Sequence, residues 1–410
     1  MQSKTKFTII LPTRERATTL NWALKTCVAQ DYENLDILVS DNFSQDNTKE
    51  VVSSYNDSRI KYINTGKRIS MSHNWEFALA HVTDGYVFFL GDDDGILPNA
   101  LTEIDKIIQE TGMKVVTWKS EEYLWPDFYN TNRSGLLKIT LSNKTHRYNG
   151  QKELSKTLNC EKRYEELPFL FKGFISVDII DAVKKITGNF FHSQIPDLYS
   201  AIVLANFVDT YIYSERPYSL AGVSKNSNGA SFSTFTSKEA VDKALFTQEE
   251  NIPFYEDLVF VHSDYIFLAE CFLQSFKVGL NKEEEKIFSL LPFLKATIKE
   301  TEFFSTERRE FVLSAITATA RKNNLESDVL EIIRTTKHTP RSPKFNYNVY
   351  GYNCIKNRIE LGDVKNVYEA CVLHNEVRNN PQKYFSPSSF LQSTFNFGMR
   401  EIGKRAANFL

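Results

Sequence analysis

Cysteine pairs, long apolar runs and an excess of either charge are missing from this chain, and each absence removes a class of function. Cys27, Cys160, Cys271, Cys354 and Cys371 form no CxxC pair and no Cys/His cluster with zinc-ligand spacing. Reduced and mostly buried thiols are the expectation. No segment approaches the ~20 apolar residues of a membrane-spanning helix. The polar start, Met1 to Lys6, runs straight into a strand-like segment, unlike a signal peptide, so the cytoplasm is the expected location. A net charge of -2 gives no global field for a polyanion, which argues against nucleic acid as a partner. GxxxxGK, GxGxxG after a strand, HExxH and GxSxG are absent as well.

What is present is alternation. Phe7–Leu11, Ile37–Val39, Ile60–Ile63 and Tyr86–Leu90 read as strands, each ended by a polar or turn-forming group. Between them Leu20, Leu24, Cys27 and Val28, and then Met71, Trp75, Leu79 and Val82, recur at helical spacing. The pattern predicts an α/β fold with a mostly parallel, Rossmann-like sheet covered by helices. Ligands in such sheets collect beyond the carboxyl ends of the strands. Thr13 to Arg16, Asp41-Asn42, Gly66 to Arg68 and Gly91-Asp92-Asp93-Asp94-Gly95 all fall there. Beyond Lys238 strand signals give way to long amphipathic stretches, which sets an expected boundary between a domain over 1–237 and a mainly α-helical C-terminal domain over 238–410.

The acidic turn carries the chemistry. Adjacent carboxylates repel by about a kcal/mol or more per close pair unless a charge offsets them. Oxygen ligands suit a hard cation such as Mn²⁺ or Mg²⁺. Because strand neighbours point oppositely, Asp92 and Asp94 are expected to share one face, aimed into the crevice, while Asp93 points away. A solvated acidic hairpin is the alternative.

Three blocks in order, Ile9 to Arg14, Asp41 to Thr48 and Phe89 to Asp94, resemble the family 2 glycosyltransferases of the GT-A fold. That resemblance implies an inverting transfer from a UDP-sugar to a hydroxyl of a glycan or lipid-linked glycan, in bacterial surface polysaccharide synthesis. It implies that Pro12 and Thr13 lie against the nucleotide, with Glu15 and Asn74 among the donor-binding residues. Asp41 would read the uracil, and Asp92 would sit by the ribose and the metal. Asp93 would line the donor site, and Asp94 would ligate the metal. Relatives often carry Arg before the matching Asn; here His73 stands there, and Arg68 is the candidate replacement.

An inverting transfer needs a general base. Asp197, behind Pro196, matches its place in the resemblance, with a carboxylate complementing the helix dipole as the alternative; Glu165, Glu166 and His192 are weaker candidates. Ser224 to Ser233, with Lys225, resembles a lid over the donor phosphates, or is a plain linker. Tyr123, Trp125 and Tyr129 are candidates to stack on an acceptor sugar. The last stretch, Phe390 to Leu410, fits an interfacial helix at the plasma membrane or one docked on the domain or a second subunit, docking being the expectation. The competing functions are a nucleotidyltransferase on a similar sheet and a non-catalytic glycan-binding scaffold.

Overall fold

The computed structural model describes residues 4–128, 134–227, 249–340, 354–356 (backbone only) and 364–381. Four strands open the chain: β1 (Phe7–Thr13), β2 (Leu35–Asp41), β3 (Ile60–Asn64) and β4 (Tyr86–Phe89), with apolar side chains buried in β1, β2 and β4 and half-buried in the edge strand β3. They pair in parallel, in the order β3-β2-β1-β4. Helices α1 (Ala17–Val28), α2 (Thr48–Ser53) and α3 (Met71–Leu79) make the crossovers. The register sets Thr13 beside Asp41 and Asp41 beside Asn64, so three strands end together.

The sheet continues beyond β4. After β5 (Gly95–Ile96), α4 (Ala100–Thr111) leads into β6 (Val115–Trp118). β7 (Glu121–Leu124), β8 (Leu136–Lys138), β9 (Thr145–Asn149) and α5 (Gly150–Leu158) follow. Then β10 (Gly173–Ser176) inserts antiparallel between β4 and β6. Two helices, α6 (Val177–Thr187) and α7 (Pro196–Phe207), precede β11 (Thr210–Ser214) and β12 (Ser219–Val223). The main sheet has eight strands, ending in β10-β6-β11-β9. Pro196 opens α7 at a position where its missing N–H costs nothing.

A second sheet of five strands, β13-β8-β7-β12-β5, lies behind the acidic turn. Its edge strand β13 (Cys354–Lys356) comes from far along the chain.

Helices α8 (Asp264–Lys277), α9 (Lys282–Ile287), α10 (Leu291–Glu300), α11 (Thr306–Lys322) and α12 (Glu326–Thr335) make up the helical stretch. Residues Lys282 to Lys299 make two helices rather than one: α9 ends at Ile287, and Pro292 sits in the first turn of α10, where its missing N–H costs nothing. One buried cluster runs from Ile10, Trp75 and Phe89 through Tyr199 to Phe272, Leu294 and Ile316, so the two parts share a core. The expected boundary at 237 is also crossed from the far side. Helix α13 (Val367–Asn379) returns to bury Val367, Cys371 and Val377 with Tyr123, Trp125 and Leu220 of the second sheet. Phe390 to Leu410 and Tyr129 lie outside the described residues.

Candidate functional site

The crevice is built from strand ends outward. Asp41, the last residue of β2, is 1% exposed. Its Oδ1 accepts from Ser44 N–H (2.9 Å), and its Oδ2 from Tyr62 Oη (2.6 Å) and Asn64 Nδ2 (3.1 Å). Burial, reinforced by the neighbouring Asp41 carboxylate, pushes the Tyr62 hydroxyl up to about 12, so it remains a donor. Glu15 adopts a left-handed backbone (φ 55°) that turns the chain after β1. Its carboxylate accepts from Gln45 N–H (2.9 Å) and Arg68 Nη2 (2.6 Å), bracing the loops after β1, β2 and β3. Arg68 is therefore paired at the rim, 45% exposed. Pro12 and Thr13 close β1, Pro12 half-buried and Thr13 buried.

Asn74 stands against Ser40, one residue before the end of β2. Buried on α3, it accepts from Ser40 Oγ (2.8 Å) and fastens that helix to β2. It is a strut between helix and strand. His73 is likewise engaged locally, its Nδ1 3.0 Å from the capping hydroxyl of Ser70.

The acidic turn departs from strand alternation. The chain leaves the sheet after Phe89, and residues 92–93 form a turn, so the three side chains diverge. Asp92 reaches back to β1, accepting from Thr13 Oγ1 (2.8 Å) and Arg16 Nη1 (2.9 Å). Asp93 and Asp94 both reach the end of β12. Asp93 Oδ2 accepts from Ser224 Oγ (2.7 Å) and Ser224 N–H (3.3 Å). Asp94 accepts from Gly222 N–H (2.7 Å) and Gly91 N–H (3.0 Å), one on each oxygen. The expectation that Asp92 and Asp94 share a face while Asp93 turns away is therefore corrected: a turn has no two-residue period. Of the six carboxylate oxygens, Asp93 Oδ1 alone accepts no hydrogen bond from the described residues.

All three aspartates are 4–5% exposed. Burial pushes the Asp93 carboxyl up to about 6; Arg16 opposes this and Asp92 adds to it. Asp94 is raised well above the carboxylate range, by burial first and by Asp93 next. Burial also works against the charge of Arg16, but Asp92, Asp93 and Asp94 together outweigh it and hold the guanidinium charged. One cation thus faces three carboxylates, and the donor set is oxygen only. A hard divalent cation fits both facts. Among the described residues no three His, Cys, Asp or Glu side chains are gathered as a group that could hold a metal ion.

Two residues that support the turn escape sequence reasoning. Trp125 Nε1 donates to the Asp93 carbonyl (3.0 Å). Gly222 packs so closely that an added Cβ would overlap that same carbonyl oxygen. Trp125 and Tyr123 are buried, and Tyr123 Oη donates to Val364 O (3.2 Å), so neither offers a ring face to an acceptor.

Asp197 sits in the first turn of α7. Burial raises its carboxyl, and the Leu198 N–H and Lys172 oppose that rise. Burial lowers the Lys172 ammonium below its ordinary value, and Glu165, Asp197, Asp94 and Glu122 oppose that. The approach to α7 is held by Ser193, whose carbonyl accepts from Ser72 Oγ (2.7 Å) and whose hydroxyl donates to Glu270 of α8. His192 Nε2 donates to Asn189 O (3.0 Å), a local turn contact. Glu165 and Glu166 are paired with Arg163 (2.8 Å) and Lys162 (2.6 Å). Lys225 is exposed, its N–H 3.4 Å from Asp127 Oδ1.

A mostly parallel sheet whose strand ends gather buried carboxylates defines an α/β ligand-binding domain of the Rossmann-like class. The family model for Glycosyl transferase family 2 matches residues 8–162, the segment that supplies Asp41 and the acidic turn. The mostly parallel, Rossmann-like sheet expected from the sequence is the architecture found, with the helical stretch following it. Over 102 residues the chain is 37% identical to a GalNAc(5)-diNAcBac-PP-undecaprenol beta-1,3-glucosyltransferase of Campylobacter jejuni, covering 24% of this chain and 33% of that one. Over 93 residues it is 30% identical to the UDP-Glc:alpha-D-GlcNAc-diphosphoundecaprenol beta-1,3-glucosyltransferase WfgD of Escherichia coli, covering 23% and 37%. The chain thus spans about a third of the length of these relatives. Among solved structures it is similar to S. aureus TarS 1-349 in complex with UDP-GlcNAc, with 16% identity, TM-score 0.42, and 80% and 91% of the two chains covered. It is also similar to the mannosyltransferase PcManGT from Pyrobaculum calidifontis in complex with GDP-Man and Mn²⁺, with 16% identity, TM-score 0.39, and 79% and 88% covered.

Proposed function

We propose that the chain is an inverting glycosyltransferase that moves a sugar from a UDP-linked donor to a hydroxyl of a growing, lipid-linked bacterial surface glycan. The observation that carries this reading is the convergence of Asp41, Thr13 and the acidic turn at adjoining strand ends, with one arginine facing three carboxylates. The names of the two curated relatives, both beta-1,3-glucosyltransferases acting on undecaprenol-linked glycans, support the donor and acceptor classes.

Asp41 retains acceptor capacity on Oδ1 for the imide N–H of a uracil, and Ser44, Tyr62 and Asn64 hold the carboxylate in place for that contact. Thr13 and Arg16 hold Asp92 at the edge where the ribose would lie. Asp93, through Oδ1, would offer a carboxylate oxygen to a divalent cation, Mn²⁺ or Mg²⁺, whose charge would offset that developing on the departing diphosphate. Arg68 and Lys225 stand at the rim as secondary phosphate contacts. Asp197 takes the proton of the acceptor hydroxyl as the new C1–O bond forms and the bond to the UDP β-phosphate oxygen breaks. A single displacement of this kind inverts the anomeric centre. Among the described residues no helix is long and apolar enough to cross a membrane, so a lipid-linked acceptor would be met at a membrane surface.

A panel of UDP-sugars assayed for transfer to undecaprenol-diphosphate-linked glycans tests the reading. Asp197→Asn is expected to bind the productive donor within about twofold of the parent and to lose transfer by about a thousandfold. Retained transfer would move the base elsewhere.

A further inference from the structure

A short segment, Glu249 to Pro253, joins the strand ends of the crevice to the approach to α7, and it is tied at both ends. At one end Glu249 Oε1 accepts from Arg14 Nη1 (2.5 Å), the two side chains being 14% and 22% exposed. The second Glu249 oxygen is enclosed and accepts no hydrogen bond from the described residues, so Arg14 is the group among them that satisfies this carboxylate. Arg14 is itself rooted in the crevice. It follows Thr13, whose carbonyl accepts from Asn42 N–H (2.9 Å) and whose hydroxyl donates to Asp92 (2.8 Å).

At the other end the Ile252 carbonyl accepts from Gln194 Nε2 (2.8 Å), and the Pro253 carbonyl accepts from Gln274 Nε2 (2.7 Å) on α8. Gln274 also donates to Glu270, which accepts from Ser193, the neighbour of Gln194. Asp197 stands three residues beyond Gln194, in the first turn of α7. The loop that leads into α7 is thus stitched to this segment and to α8 at once. Glu249 and Ile252 are three residues apart, at most about 11 Å of extended chain. A tether that short limits how far the end of β1 can move from the loop before α7. A fully exposed ion pair would tie the two weakly, because water screens it. This pair is largely enclosed, and removing one partner leaves the other charge without compensation.

We propose that Glu249 is a positioning residue: through Arg14 it holds the donor-side strand ends at a set distance from the loop that presents Asp197. This rests on the proposed donor crevice and on Asp197 as the general base. A single displacement needs donor and base in one geometry, so a loosened tether lowers the rate of transfer more than the affinity for the donor.

The test has two arms. Hydrogen exchange of the full chain without ligand, read by mass spectrometry, reports the tether alone. Glu249→Ala should speed exchange in peptides spanning residues 13–17 and in peptides spanning residues 192–198 together; Glu249→Gln takes its place if the alanine variant does not fold. Faster exchange at one end only, or at neither, overturns the proposal. In the second arm, kcat for transfer should fall about tenfold or more while KM for the UDP-sugar stays within about twofold. An unchanged kcat, or a loss confined to KM, contradicts it. So does tighter UDP binding, the result expected if Glu249 merely masked Arg14 from an anionic donor. If no UDP-sugar supports transfer, the glycosyltransferase reading fails, while the exchange arm still decides whether Glu249 tethers the two ends.

Discussion

Asp93 and Glu270 are both buried carboxylates, yet their surroundings satisfy them differently. Glu270, on α8, is fully buried; it accepts from Ser193 Oγ and Gln274 Nε2 (2.9 Å), and none of the charges acting on it is a cation. Burial pushes it up to about 7, so it keeps its proton over a range of pH in which an exposed glutamate is ionised. Asp93 shares its turn with two more carboxylates, has Arg16 opposing its protonation, and keeps one oxygen without a hydrogen bond from the described residues. The first is a neutral structural link between the helical stretch and the loop before α7. The second is a cluster with charge left over. Burial alone therefore does not mark a site; uncompensated charge with an accessible donor atom does.

The sharpest way to break the contrast is to disturb the close packing on which the turn depends. Gly222→Ala places a methyl group on the Asp93 carbonyl, and backbone cannot give way cheaply there. A loss of about 3 kcal/mol or more in chemical denaturation is expected, together with loss of UDP binding. An alanine variant with parental stability and binding would mean that β12 and the turn are not held together as described.

Glu270→Gln tests the other side. Unfolded Glu270 releases its proton near its ordinary value of 4.5, whereas the folded side chain keeps it to about 7. The folded state binds more protons in that window, so stability falls as pH rises through it and levels off above. Glutamine removes this dependence and should stabilise the protein at pH 8 by on the order of 2 kcal/mol. Thermal melts at several pH values would show the two curves converging at low pH. Parallel curves would mean that Glu270 is ionised when folded.

Trp125→Phe is a smaller probe. It removes the indole donor to the Asp93 carbonyl but keeps most of the ring, so a loss of about 1 kcal/mol is expected. Donor binding should weaken in proportion. A neutral outcome would show that the turn is rigid without that bond.

Much of this arrangement was legible in the sequence where it is local. The first four strands and their polar ends could be read from periodicity, and the parallel register then set Thr13, Asp41 and Asn64 side by side. Long-range pairing was not legible. Trp125, Gly222 and Ser224 meet the acidic turn only because β12 pairs with both β5 and β7. Helix α13 returns to the second sheet after a long excursion, carrying His374 to within 2.6 Å of Glu121, which no pattern near residue 374 announces. The two-residue alternation misplaced Asp93 because the backbone turns at that point. Asn74 was placed by resemblance, whereas its rotation on α3 is set by Ser40.

The most direct test of the central claim is calorimetry of UDP binding with and without Mn²⁺, on the parent chain and on Asp93→Ala. Binding should be at least tenfold tighter with the cation in the parent, and the difference should vanish in the variant. Equal affinity with and without Mn²⁺ in the parent would contradict the account of the acidic turn.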